Sequence, residues 1–169
     1  MDKEKDKDKK TKKKKNPWIK LLIKVGVIIA SAFLLFQYVG EIFVIHDNYM
    51  YPRISDGDLV VTYKLGKLYS SDVVLFEIEG NKYLGRVVAV GGDTIDFNEA
   101  GYTVNGLNPY EVIYYKTEKL GDTEYPYTLK ENEVFVLCDY REQGMDSREF
   151  GVVTETKGKV VFLIRGRGF

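Results

Sequence analysis

The side chains able to move protons or carry an acyl group gather in a few short stretches. "DNYMYPRISDGD", residues 47 to 58, brings Asp47, Tyr49 and Ser55 together, one residue after His46, the only histidine of the chain. Tyr49 offers a phenol with a pKa of about 10, but phenoxide is a good leaving group and therefore a poor acyl carrier. His46 lies three residues before Tyr49, so in an extended segment the two project to opposite faces. That placement fits a surface or satisfied polar histidine better than a base. Ser55 precedes Asp56-Gly57 and reads as a turn cap. Asp47, Asp139 and Asp146 could in principle pair as an aspartic centre. Asp139 and Asp146, however, sit beside Arg141 and Arg148 and read as acids that hold turns. Cys138, the only cysteine, lies in "VFVLCDY", a strand entering a turn. It reads as a small buried residue, not a nucleophile. One Cys and one His exclude a disulfide and a Cys–His metal site, and no cofactor is implied.

The elements that must position these residues follow from charge and periodicity. The formal net charge of the 169-residue chain is zero, yet residues 1 to 24 carry eleven lysines against four acids, a net +7. The other 145 residues balance this with −7. Basic arms can bind nucleic acid. Here the arm runs straight into the apolar segment "WIKLLIKVGVIIASAFLLFQYV" (18–39), so membrane topology is the better account and no nucleic-acid partner is expected. Those 22 residues span about 33 Å as a helix, enough for a bilayer core. Lys20 and Lys24 can snorkel, and Trp18 and Tyr38 suit the two interfaces. The lysine-rich side should stay in the cytoplasm, which puts the C-terminal domain outside a single-pass anchor. "ASA" at 30–32 could mark a cleaved signal peptide, but Phe33 to Phe36 continue the apolar run past it, so an uncleaved anchor is favoured.

The expected organisation is a disordered lysine-rich arm (1–16), a transmembrane anchor (17–40) and one external domain (41–169). The fold class expected is mostly β, without a substantial helix in that domain. Strands are predicted at Ile42–Asp47, Leu59–Lys64, Val73–Glu79, Lys82–Val90, Thr94–Phe97, Tyr102–Val104, Glu133–Leu137 and Val152–Ile164. Asn105-Gly106 is a two-residue hairpin turn signal. Residues 108–132, with five tyrosines, read as an excursion from the sheet.

Three segments in order resemble the type I signal peptidases, membrane-anchored Ser/Lys proteases that remove signal peptides from exported proteins. "NYMYPRISDGDLV" is similar to that family's Ser-Met-x-Pro box and Gly-Asp turn. "YLGRVVAVGGDTI" is similar to its Lys-Arg-Val box, and "CDYREQGMDSREFGVV" to its Gly-Asp-Asn-Arg…Asp-Ser-Arg-x-Phe-Gly box. The resemblance covers roughly residues 18 to 165. It places Tyr49 at the nucleophile position, Gly85 at the general-base lysine, Asp47 at an oxyanion-assisting position and Gly144 at the serine that orients the lysine. All four catalytic or supporting positions depart from the family. The scaffold positions Met50, Pro52, Gly57, Asp58, Gly92, Asp93, Asp139, Arg141, Asp146, Ser147, Arg148, Phe150 and Gly151 remain.

A serine nucleophile needs a neutral lysine to accept its proton. Tyr49 has none at position 85, and a carboxylate at 47 would repel an oxyanion. If 82–90 is a strand, Tyr83, Gly85 and Val87 share a face and Lys82 and Arg86 take the other, so Lys82 cannot replace residue 85. Gly85 would leave a gap able to admit Tyr49 or a partner's side chain, unless it marks drift after loss of catalysis. Tyr49 and Tyr51 are either interfacial anchors or divided between core and surface. The resemblance further implies the inactive signal-peptidase-like proteins of Gram-positive pilus operons. On that basis the expected function is a pseudoenzyme that supports pilus polymerisation by binding pilin subunits, a class C sortase, or both. The expected cleft consists of Asp47, Asn48, Tyr49, Met50, Tyr51, Pro52, Tyr83, Gly85 and Val87, with Asp139, Arg141, Asp146, Ser147 and Arg148 structural. The alternative is an active signal peptidase with an unconventional centre.

Overall fold

The computed structural model describes residues 17–109 and 117–166. The lysine-rich arm, part of the tyrosine-rich excursion and the side chain of Tyr38 lie outside the described residues. The chain divides into two units, Met1–Leu35 and Phe36–Phe169.

The first unit consists, as described, of most of one helix. That helix, α1 (Pro17–Val39), starts on a proline, whose fixed φ and missing N–H suit the first helical position. Its Pro17–Gln37 stretch is long and apolar enough to cross a membrane. Ser31, a polar residue in this run, returns its hydroxyl to the Ile28 carbonyl at 2.9 Å, which satisfies it without a partner helix.

The second unit is β-rich, and most of its chain runs in two sheets. Among the described residues nine strands follow in chain order: β1 (Ile42–Val44), β2 (Leu59–Tyr63), β3 (Val73–Ile78), β4 (Asn81–Val90), β5 (Thr94–Asn98), β6 (Gly101–Val104), β7 (Tyr127–Thr128), β8 (Val134–Leu137) and β9 (Thr156–Ile164). A one-turn helix, α2 (Ser147–Phe150), lies between β8 and β9. Six strands pair in the order β1-β2-β9-β3-β4-β8, and three form a second sheet, β6-β5-β7. Neighbouring strands in both sheets pair antiparallel.

Alternation along the strands explains the core. From β2, Val60 enters an apolar cluster with Ile45, Met50, Ile54, Leu75 and Leu84, while its neighbours Leu59 and Val61 turn outward. From β4, Val87 joins Val74, Phe76, Val134 and Val136. A third cluster under the small sheet holds Ile95, Tyr102, Leu129 and Phe135. The outward rows Ile42–Val61–Phe162 and Val44–Leu59–Ile164 are matched by register. They therefore share one apolar face opposite the core.

Several boundaries differ from expectation. β1 ends at Val44, not Asp47, because the chain turns at once: Ile45 N–H donates to the Asp58 carbonyl and Gly57 N–H to the Ile45 carbonyl. The last strand begins at Thr156, not Val152. Val153 instead forms an isolated bridge back to Val134, which uses its N–H and C=O before the chain reaches the sheet. The short β7 and α2 were not expected. Asn105-Gly106 does form the two-residue turn, with φ of 53° and 77° and reciprocal bonds between Val104 and Leu107.

Candidate functional site

The 47–54 segment is a run of turns, so the extended conformation assumed for His46 and Tyr49 does not hold. Tyr51, Arg53 and Ile54 N–H groups donate to the carbonyls of Asn48, Met50 and Met50. Asp47 starts this run by accepting the Tyr49 N–H on Oδ1 at 3.0 Å, an Asx-type cap. Asn48 Oδ1 accepts the Asp56 N–H at 3.1 Å. The turn that ends the segment is held by Asp58, whose N–H donates to the Ser55 carbonyl and whose buried carboxylate accepts from Ser55 N–H and Gly166 N–H, all at 3.0 Å. His46 is exposed and sets its ring edge-on to Phe43 at 6.4 Å.

Tyr49 is fixed on both sides of its backbone, since its carbonyl accepts the Tyr140 N–H at 2.8 Å. Its ring then starts a ladder of aromatics. Tyr49 stacks on Tyr83 at 6.5 Å with planes 17° apart, and Tyr83 on Phe76 at 5.9 Å and 29°. Phe76 in turn meets Phe150 of α2 at 5.5 Å. Adjacent strands impose this order, because Phe76 of β3 pairs directly with Tyr83 of β4.

Phe76 of the ladder and Val136 pack closely around Gly85, the position that the resemblance gives to the base. A Cβ on Gly85 would lie 3.0 Å from Val136 Cβ and 3.1 Å from Phe76 Cε1. A side chain on Gly85 would meet both from its first carbon, so no open gap lies directly beside it. Gly85 itself is buried, as are Met50 and Val87, so these three residues of the expected cleft form its floor and not its surface. Asp47, Asn48, Tyr49, Tyr51, Pro52 and Tyr83 keep at least partial exposure. Tyr51 turns outward, 51% exposed, and its ring approaches Tyr140 at 6.5 Å. Tyr83, Gly85 and Val87 share the face expected of them: Tyr83 and Val87 pack with one apolar cluster while Leu84 packs with another. Lys82 is engaged elsewhere, paired with Glu41 and set 5.6 Å over Phe43.

Gly144 is equally constrained. A Cβ there would fall 2.3 Å from Cys138 Cβ and 2.5 Å from its Sγ, so the position excludes any side chain unless Cys138 moves. Cys138 is fully buried and its thiol points at the Met145 carbonyl at 3.3 Å. Burial, followed by the Asp146 charge, pushes its pKa up, the opposite of what an activated thiolate needs. A maleimide reagent is expected to leave Cys138 unmodified in the native protein and to label it once denaturant is added. Labelling at the same rate in both states would contradict the packing.

The acids are each committed separately. Asp146 caps α2, taking the Arg148 N–H on Oδ1, and pairs with the Arg148 guanidinium at 2.8 and 2.9 Å. It also accepts the Cys138 N–H at 3.0 Å. Arg148 reaches the Arg141 carbonyl at 2.7 Å, and Arg141 bridges the Cys138 carbonyl and Thr117 Oγ1. Ser147 Oγ accepts the Val136 N–H at 3.0 Å. Asp139 pairs with neither of these arginines, as expected from sequence adjacency, but with Arg86 of β4, whose Nε donates at 2.7 Å. Asp139 and Asp146 are thus each matched to an arginine, leaving no pair of carboxyls to share a proton.

Electrostatics work against nucleophilic chemistry at Tyr49. Burial and then the Asp47 carboxylate raise its phenol above the ordinary value, and Tyr83, Cys138 and Glu149 add to the effect. Burial also raises Asp47, opposed by the Tyr49 N–H that it accepts. The same bond occupies the N–H that an oxyanion at residue 49 would require. Sequence reasoning missed Phe76 and Val136, which strand pairing brings to residue 85, and Phe150, which α2 sets against Phe76.

A small β domain with these three boxes and an apolar helix ahead of it defines a protein of signal-peptidase type. The chain matches the family described as signal peptidase, peptidase S26, over residues 18–164, and it belongs to that family. It is 30% identical to signal peptidase IB of Staphylococcus aureus, over 88% of this chain and 90% of that one. It is 26% identical to signal peptidase I of Bacillus licheniformis, over 78% and 76%. A crystal structure of a signal peptidase I from Enterococcus faecalis superposes with a TM-score of 0.48 at 24% identity, covering 58% of this chain and all of that one.

Proposed function

We propose that this chain is a non-catalytic member of the family that holds an extended peptide segment at the inherited substrate face. The observation that carries the proposal is the state of the dyad: a stacked tyrosine at 49, and at 85 a buried glycine whose surroundings are filled by Phe76 and Val136. A peptide laid along strand-edge or turn backbone needs no nucleophile. The finer setting rests on the sequence resemblance to the inactive signal-peptidase-like proteins of pilus operons. On that reading the segment held belongs to a pilin or to a class C sortase. The protein is then a single-pass membrane protein with its lysine-rich end in the cytoplasm and the β domain outside, supported by the apolar α1 and the preceding lysines.

The competing reading is an active peptidase, favoured by the names of the curated relatives. Purified full-length protein in detergent, incubated with a preprotein and with a pilin precursor, separates the two. The expected result is no cleavage of either, together with capture of pilin or sortase by a photoreactive residue placed at Tyr51 in cells that assemble pili. Cleavage of either substrate by the wild-type chain sinks the proposal. Capture that excludes both partners removes the pilus setting alone.

A further inference from the structure

The membrane-crossing stretch ends at Gln37 and α1 at Val39, and the chain is then tied at once to β2. Gly40 lies against the Thr62 carbonyl. Glu41 N–H donates to Thr62 Oγ1 at 3.0 Å, and Thr62 N–H donates to the Glu41 carbonyl at 2.8 Å. β2 ends one residue later, at Tyr63. Leu65, three residues beyond Thr62, can lie no more than about 11 Å from it. The β2–β3 loop, residues 64–72, therefore starts beside the point where the chain leaves α1.

Packing and hydrogen bonds fix this loop. Leu68 turns inward against the cluster of Val74 and Phe76. Tyr69 N–H donates to Asp72 Oδ2 at 3.0 Å, and the Tyr69 carbonyl accepts the Asp72 N–H at 3.1 Å. Lys159, paired with Asp72 at 3.4 Å, stands 5.7 Å over the Tyr69 ring. Leu65 and Tyr69 are left facing outward, 66% and 61% exposed, and Lys64 and Lys67 beside them are exposed too. Among the described residues of the β domain, Lys82, Lys130, Lys157 and Lys159 pair with acids, and Lys119 stands over Tyr125. Lys64 and Lys67 have neither kind of partner. The chain beyond residue 24 carries a net −7, so an anionic surface repels the domain as a whole and is attracted where cations stand free. A leucine and a tyrosine flanked by free lysines, next to the end of a membrane span, match the headgroup layer of a bilayer in polarity and charge.

We propose that the β2–β3 loop docks on the leaflet at the C-terminal end of α1, with Leu65 and Tyr69 among the headgroups and Lys64 and Lys67 on the phosphates of anionic lipids. The inference rests on the membrane anchor proposed above and not on the holding of a peptide.

Full-length protein reconstituted in vesicles tests it. Leu65→Cys carries an environment-sensitive thiol dye, since Cys138 is buried. Leu107→Cys, at a 72% exposed position after the Asn105-Gly106 turn, carries the same dye as a control. Lipids spin-labelled at the headgroup quench a dye that touches them. The dye at 65 is expected to be quenched more in phosphatidylcholine vesicles containing phosphatidylglycerol than in phosphatidylcholine alone, and the dye at 107 in neither. At roughly 5-fold per lysine in the ratio of docked to undocked loop, Lys64→Gln with Lys67→Gln should lower that ratio roughly 25-fold in the anionic vesicles. Trp18, the only tryptophan, reports entry of α1 separately through its own quenching in the undyed protein. Quenching at 65 no greater than at 107, with Trp18 quenched, overturns the inference and leaves the anchor standing. Quenching at 65 that ignores both lipid charge and the lysine variant also overturns it. If Trp18 is not quenched either, the anchor falls and the inference with it.

Discussion

Restoring the dyad with Tyr49→Ser and Gly85→Lys is expected to give a protein that still cleaves no preprotein and unfolds at lower denaturant than the wild type. The lysine would start from a Cβ 3.0 Å from Val136 and 3.1 Å from Phe76, two side chains with no exposed surface. Overpacking of this kind costs about 1–3 kcal/mol. Loss of the Tyr49 ring removes a stacked pair worth about 0.5–1.5 kcal/mol more. Activity fails for separate reasons. Asp47 would still accept the N–H of residue 49, and a missing oxyanion donor alone costs roughly 100- to 1000-fold in rate. Nor can a serine be added at 144 to orient the lysine, because its Cβ would sit 2.3 Å from that of Cys138. Urea unfolding and a preprotein cleavage assay on the double variant read both effects. Unchanged stability would mean that the space at 85 is open after all, and measurable cleavage would mean that the scaffold stands two substitutions from an enzyme.

The second large effect is expected at Arg148. Arg148 is 2% exposed and its partner Asp146 is fully buried. Arg148→Ala leaves that carboxylate with the backbone N–H groups of Cys138 and residue 148 but no counter-charge, and breaking a buried pair in this way costs about 3–5 kcal/mol. The same change frees the Arg141 carbonyl and unties α2 from the loop after β8. Because Phe150 of α2 ends the aromatic ladder, the damage should spread to Tyr83 and Tyr49. Near-ultraviolet circular dichroism should therefore lose tyrosine signal along with stability. Arg148→Lys should recover part of the loss, as lysine restores charge without the bidentate geometry. A loss below about 1 kcal/mol for Arg148→Ala would put the pair among weak surface bridges instead.

What position 85 does could not be read from its neighbours in sequence. In the chain, Gly85 is a missing side chain in a strand, and a missing side chain suggests a gap. In the fold, β3 lays Phe76 beside Tyr83 and β8 brings Val136 across. The volume is then occupied by residues nine positions before and fifty-one after. Asp139 shows the same limit. Nearby arginines suggested its partner, but the strand that faces it supplies Arg86 instead.

The sequence by itself determined the family, the apolar helix at the N-terminus and a β-rich domain, and it sets Tyr49 and Gly85 where the resemblance implies a serine and a lysine. These are local or ordered signals: an apolar run, alternating strands, and boxes whose residues must keep their spacing to build the same turns. Only the tertiary structure decided that Gly85 is closely packed by Phe76 and Val136, that Gly144 admits no side chain unless Cys138 moves, and that Asp47 occupies the N–H of Tyr49. Each of those depends on how closely distant segments approach, and dense packing across paired strands fixes that distance while sequence spacing does not.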